Sequence, residues 1–196
     1  MKFRMAALAT TFILSLGAAF AAAPGLLAEP SQYGTGAVAT SPIVSAAASP
    51  ESIEATWKSL SSLTGLWGQA QGDPGYDKSF RVNLAAISNG TALVETYGDP
   101  AQRVTQTIYH RAGESIMATY YCAQGNQPRL LLNARVKSPG KFVFDFLDVT
   151  NLPSPNHSHL VKLEFQVLNE NRLERIETYR QGVVTEVSRL MLARLR

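Results

Sequence analysis

From residue 66 onward, apolar and polar residues alternate at period two in runs of roughly six to twelve, the pattern of strands that bury one face and wet the other. In residues 141–148, Phe142, Phe144 and Phe146 fall on one face. In the run that follows, Val161, Leu163, Phe165 and Val167 fall on one face while Lys162, Glu164 and Gln166 fall on the other. Turn chemistry separates the runs. Asn89-Gly90 is the strongest hairpin signal, because both residues tolerate positive φ. Gly98-Asp99-Pro100, Ala112-Gly113-Glu114, Ser138-Pro139-Gly140, Asn169-Glu170-Asn171 and Gln181-Gly182 mark further reversals.

One segment has the helical period instead. Ser49 is placed as N-cap, Pro50 as the first helical residue and Glu51 in the first turn, with Ile53, Trp57, Leu60 and Leu63 on one face and Gly65 as the stop. After it come nine or ten strands joined by short turns, hence antiparallel neighbours in sequence order. Such a meander either leaves two exposed edges or closes on itself. The fold class predicted is all-β: an antiparallel up-and-down β-barrel of nine to ten strands with one short N-terminal helix. A closed barrel of this size encloses an internal cavity.

The first residues have the three parts of an export signal. Lys2 and Arg4 precede an uncharged apolar run from Met5 to Phe20, and Ala19-Phe20-Ala21 has the A-x-A form that suits cleavage after Ala21. The apolar run is shorter than the roughly 20 residues of a spanning helix, so no membrane attachment is expected once the signal is removed. Residues 22–49 are rich in Ala, Ser, Pro, Gly and Thr with one charge, Glu29, and no apolar period. They cannot bury enough surface to offset ordering entropy and read as a flexible tether. The organisation predicted is therefore signal peptide 1–21, tether 22–49 and one barrel domain 50–196, placed in a bacterial periplasm or secreted.

Charge then narrows the partners. Of 18 Lys and Arg, the signal carries two and no acid, which leaves 16 bases against 15 acids. Phosphate backbones require a basic face, and here the charges are interleaved, so nucleic acid is not expected. The single cysteine, Cys122, rules out an intramolecular disulfide, and no cysteine near the cleavage site is placed to carry a lipid. In a run with Tyr120 and Tyr121 it reads as a strand thiol, buried and inert or else paired between chains.

Gly65-Leu66-Trp67, between a short helix and the first strand, resembles the G-x-W signature of the calycins, the lipocalin and fatty-acid-binding superfamily. The resemblance implies that Trp67 closes one end of the barrel and that a basic residue of the last strand, Arg189 or Arg194, packs across it. A longer stretch, Thr119-Tyr120-Tyr121-Cys122-Ala123-Gln124-Gly125-Asn126-Gln127-Pro128-Arg129, followed by Phe144-Asp145-Phe146 and His159, resembles an uncharacterised family of exported bacterial proteins, a domain of unknown function with a lipocalin-like barrel. That family often has a His where this chain has Tyr120, so no metal or proton-transfer role is carried over. The run Gly65-Leu66-Trp67-Gly68-Gln69-Ala70-Gln71-Gly72 is also similar to the haem-binding nitrobindins, which hold iron through a His near the C-terminal end of the barrel. No His follows His159, so no cofactor is expected.

Chemistry-bearing residues are few. His157-Ser158-His159 places two imidazoles on one strand face, but a metal would need further ligands from His110, Asp145 or Asp148. Cys122 with His110 or His159 and Asp145 contains the atoms of a nucleophile and its base, without a spacing that joins them. Glu174 and Glu177 read as the wet face of a strand. The segment 125–129 carries two amides and a guanidinium, a set able either to clamp a polar head at a barrel mouth or to satisfy a tight turn. The leading expectation is a barrel that binds a small apolar or amphipathic molecule without covalent chemistry, lined by Trp67, Tyr120, Tyr121, Asn126, Gln127, Arg129 and His159. The alternatives are an enzyme with His110, Asp145 or His159 in acid–base roles, and a module that docks a protein partner at the end of its tether.

Overall fold

The computed structural model describes residues 50–99, 101 and 104–196; the signal, the tether and Ser49 lie outside the described residues. Helix α1 (Pro50–Ser61) leads into ten strands: β1 (Gly65–Gln69), β2 (Arg81–Ile87), β3 (Ala92–Gly98), β4 (Thr105–Ala112), β5 (Ser115–Tyr121), β6 (Gln127–Leu132), β7 (Lys141–Thr150), β8 (His159–Asn169), β9 (Arg172–Gln181) and β10 (Val184–Arg194). Every pairing is antiparallel between neighbours in sequence, and β10 returns to β1, so the sheet is a closed up-and-down barrel of the calycin kind. The turn residues deliver this order. Asn89 and Gly90 sit at φ 55° and 79°, in the left-handed region that turns β2 back into β3.

The core is continuous, from Trp57, Leu60 and Leu63 of the helical segment through Leu93, Tyr109, Ile116, Leu130, Phe144 and Phe165 of the barrel interior. Two details depart from strict alternation. A bulge between Leu160 and Lys162 consumes Val161, so Leu160 rather than Val161 enters the core beside Leu163 and Phe165. Phe142 and Phe144 are buried, whereas Phe146 packs 5.4 Å from the ring of His159 and 5.7 Å from the guanidinium of Arg180. The helix also stops earlier than Gly65. It ends at Ser61, and a tight turn from Leu60 and Ser61 carries Leu63 into the core.

Gly65 instead opens β1, and its reason is local. It sits at φ 133°, and a Cβ there would lie 2.6 Å from Nη1 of Arg194. Arg194 stacks 4.2 Å from the ring of Trp67, which is fully buried and donates through Nε1 to the Leu63 carbonyl at 2.9 Å. The same guanidinium donates to the carbonyls of Thr64 at 2.7 Å, Glu170 at 3.0 Å and Ser62 at 3.3 Å. Of the two arginines proposed for this place, Arg194 takes it; Arg189 pairs with Glu174 on the outer wall. Arg111 adds an ion pair to Glu54 and lies 5.6 Å over Trp57, fastening α1 to β4. The helix, Trp67 and Arg194 thus close one end of the barrel. Replacing Arg194 with Ala removes a cation–π contact and charged hydrogen bonds and is expected to cost about 2–4 kcal/mol, measured as a lower urea midpoint at unchanged m-value.

Closure of the wall is narrow. β1 and β10 share only the pairs Trp67↔Arg194, Gly68↔Ala193 and Gln69↔Leu192, extended by Ala70 N–H to the Met191 carbonyl at 2.8 Å. Beyond that point, residues 184–190 of β10 have no strand partner on this side among the described residues.

Candidate functional site

The interior is not uniformly apolar. On β9, the inward face that starts at Leu173 continues through Arg175, Glu177 and Tyr179; on β3 it runs Leu93, Glu95, Tyr97; on β4, Thr107 and Tyr109; on β5, Ala118 and Tyr120. These residues meet across the barrel. Arg175 Nε donates to Glu95 Oε1 at 2.6 Å, and Tyr109 donates its hydroxyl hydrogen to Glu95 Oε2 at 2.5 Å. Arg175 Nη1 lies 2.8 Å from Glu177 Oε1, an ion pair too poorly aligned for a good hydrogen bond. Tyr179 donates to the same Glu177 oxygen at 3.2 Å, and its hydroxyl meets that of Tyr120 at 2.8 Å. The guanidinium stacks 4.2 Å from the centroid of Tyr97.

The side chains of Arg175 and Glu95 have no exposure and that of Glu177 has 4%. Two carboxylates therefore face one guanidinium out of water. Burial alone would lower the pKa of Arg175, but the charges of Glu177 and Glu95 outweigh it and hold the group firmly protonated. Burial, reinforced by the charge of Glu95, lifts Tyr109 well above its ordinary pKa of 10.0. Burial and then Glu177 also raise Tyr97 and Tyr179, and they push Tyr120 up to about 12. All four tyrosines are hydroxyl donors at neutral pH.

This network leads from mid-barrel toward the end opposite α1. There the inner face of β10 is open. Ser188 pairs directly with Glu177 and Glu186 with Tyr179, so these side chains share a face; yet Ser188 and Glu186 are exposed while Glu177 is buried. Solvent thus reaches the inner wall beside Glu177, on the side where β10 runs past the end of β1. Among the described residues, surface clefts also lie elsewhere. One of about 330 Å³ separates α1 from the β6–β7 connection, and one of about 660 Å³ lies against Trp67 and Arg194. Neither contains the buried ion cluster, so chemistry rather than size locates the site.

Of the residues expected from sequence to line a cavity, Tyr120 belongs to this network. Trp67 is at the closed end. Tyr121 points outward and is 44% exposed. Asn126 is fully buried and ties two loops together through Nδ2 to the Ser158 carbonyl at 3.1 Å, while its Oδ1 has no partner. Gln127 donates to the Gly125 carbonyl at 2.8 Å and accepts from Thr150 at 3.0 Å and Asn151 at 2.6 Å. Arg129 makes a two-pronged pair with Asp148 on the outer wall. His159 pairs in register with Arg180, on the face opposite Tyr179, and its Nδ1 lies 2.8 Å from the His157 carbonyl. The segment 125–129, expected as a loop, thus enters β6 at Gln127, and its polar groups serve the neighbouring turns and strand β7 rather than a ligand.

The acid–base candidates are dispersed. His110 Nδ1 is 3.0 Å from the Arg111 carbonyl, and Asp145 pairs with Lys162 at 3.6 Å and accepts from Asn133 at 2.7 Å. Cys122 is half-buried, with its thiol pKa raised by desolvation. Among the described residues no three His, Cys, Asp or Glu side chains converge in a metal-holding group.

Glu177, expected with Glu174 on the wet face of its strand, is buried instead, and Glu95, Arg175 and Tyr179 escaped the sequence reading, because polar residues in an alternating strand default to the wet face. The available signal was parity: Leu173-x-Arg175-x-Glu177-x-Tyr179 and Leu93-x-Glu95-x-Tyr97 carry complementary charges on the faces that start with Leu. No protein-family model matches the chain, and no curated protein matches its sequence significantly.

Proposed function

We propose that this chain is an exported barrel that holds a small, partly apolar molecule at the open end of its interior, without covalent chemistry. The observation that carries this reading is the solvent-reached inner wall at Ser188 and Glu186, facing a floor of tyrosines and buried charge. Such a site combines aromatic surface with a few fixed polar groups, which is how small-molecule pockets orient a ligand. Pre-paired residues such as Tyr120, Tyr179 and Glu177 are held in place by one another, so little ordering cost remains for the ligand to meet. The signal-like pattern of the first 21 residues supports a function in the periplasm or outside the cell, as does the resemblance to an exported barrel family, which assigns no activity.

A second reading has one observation in its favour. Val183, Val184 and Val187, at the tip of the β9–β10 hairpin, are all more than half exposed, at 101%, 64% and 54%, and this suits docking of a protein partner beside an unpaired strand edge.

The test is native mass spectrometry of the chain from residue 22, purified from a periplasmic extract, followed by denaturation and identification of what is released. A released organic molecule is expected, and Ser188→Trp, which fills the open inner wall from an exposed position, is expected to lower its occupancy at least tenfold. A bound molecule whose occupancy ignores Ser188→Trp would sink this location. A clean apo mass with a co-purifying protein lost on Val187→Asp would favour the docking reading instead.

A further inference from the structure

The charge balance of the interior says which head group the open end would accept. We propose that the molecule held there carries a protonated amine and that Glu177 receives it, an inference that rests on the binding function proposed above. Two glutamates and one arginine leave one formal negative charge in excess inside the barrel. Removing charge from water is expensive unless it is matched, and a ligand cation supplies the missing match.

The alternative head group, a carboxylate, fits poorly. Its natural partner, Arg175, has no exposed surface and already serves Glu95 and Glu177. Nη1 and Nη2 of Arg175 lack well-aligned acceptors, but the plane of the guanidinium lies 4.2 Å from the Tyr97 centroid and 5.9 Å from that of Phe165. Both nitrogens are buried among these rings, so a ligand at the mouth does not reach them. A carboxylate entering from the mouth would meet Glu186 and Glu177 first and add a second negative charge to the excess.

An ammonium meets the reverse. It meets the exposed acid Glu186 first, across the strand pair from Tyr179, and behind it Glu177, which is 4% exposed where Arg175 has none and whose contacts with Arg175 and Tyr179 both use Oε1, with the Tyr120 and Tyr179 hydroxyl oxygens 2.8 Å apart beside it. Tyrosine rings at the mouth add faces of negative quadrupole, and Tyr97 already engages a cation this way inside the same barrel. Glu186 is exposed, so it steers the cation rather than burying it, and its share of the affinity should fall with added salt.

Three probes that differ only in head group test this by isothermal titration calorimetry at pH 7 on the chain from residue 22: 2-phenylethylamine, 2-phenylethanol and 3-phenylpropanoate. The amine is expected to bind at least tenfold tighter than the alcohol, and the carboxylate more weakly than either. Glu177→Gln should bring the amine-to-alcohol affinity ratio to within about twofold. Glu186→Gln, on an exposed position that does not threaten folding, should lower that ratio severalfold. A carboxylate that binds tightest, or an amine preference that survives both substitutions in folded protein, overturns the inference while leaving the binding function standing. Binding of none of the three, with an apo mass in the native spectrum, overturns both.

Discussion

Arg175→Met is expected to destabilise the barrel by about 3–5 kcal/mol, the usual cost of leaving buried charge without its partner. Glu95 would keep only the hydroxyl of Tyr109 and Glu177 only that of Tyr179, with both carboxylates out of water. The loss is a large share of the roughly 5–15 kcal/mol that holds a domain of this size together. The variant should also acquire a pH dependence of predictable sign. Without Arg175, burial disfavours the charged form of each acid, and protonation relieves that cost. Stability is then regained as pH falls from 7 toward the unfolded carboxyl pKa, near 4. Chemical denaturation at pH 7 and pH 5 measures both effects. Glu95→Gln and Glu177→Gln added to Arg175→Met should recover much of the loss, since the charges then leave together. An Arg175→Met variant within 1 kcal/mol of the parent would mean that the triad is not buried as described.

The second large effect concerns alkaline pH. Tyr97, Tyr109, Tyr120 and Tyr179 all have folded-state pKa values above their ordinary 10.0, through burial first and the charges of Glu95 or Glu177 next. A group whose folded pKa is raised contributes stability that is whole below its unfolded pKa and is lost as pH climbs toward the folded one. Each tyrosine then removes up to about 1.4 kcal/mol per pH unit above pH 10. Four together remove roughly 5 kcal/mol per unit, enough to exhaust a typical domain's stability within one to three units. Phenolate absorbance at 295 nm should therefore rise in two phases, the second coinciding with loss of the far-ultraviolet β signal. A single phase near pH 10 with the barrel intact would contradict the burial of these hydroxyls.

The barrel was legible because its turns are written in residues with few alternatives. Asn89-Gly90, Gly113, Gly140 and Gly182 all fall at reversals with positive φ, and alternation between them shows strands with one buried and one wet face. Trp67 was legible through the resemblance of Gly65-Leu66-Trp67 to the calycin signature, which left Arg189 and Arg194 both open as its partner; the structure selects Arg194. The Val161 bulge was not legible, since Leu160 and Val161 are both apolar and either can face the core. The polar floor was the least legible part. In Leu173-Glu174-Arg175-Ile176-Glu177 each face carries one aliphatic residue and at least one charge, and only the closed barrel, which brings Glu95 within reach of Arg175 from 80 residues away, decides which face is dry. Asn126, Gln127 and Arg129 looked available because their partners, Ser158, Asn151 and Asp148, lie 19 to 32 residues further along the chain.

The narrow seam between β1 and β10 also governs the order of assembly. Each other pairing in the barrel joins strands adjacent in sequence, so it requires closing only a short loop. The seam pairs Trp67 with Arg194, 127 residues apart, the costliest loop closure in the domain. It should form last in folding and part first in native-state hydrogen exchange. The chain would therefore be a row of hairpins first and become a barrel only once Arg194 reaches Trp67.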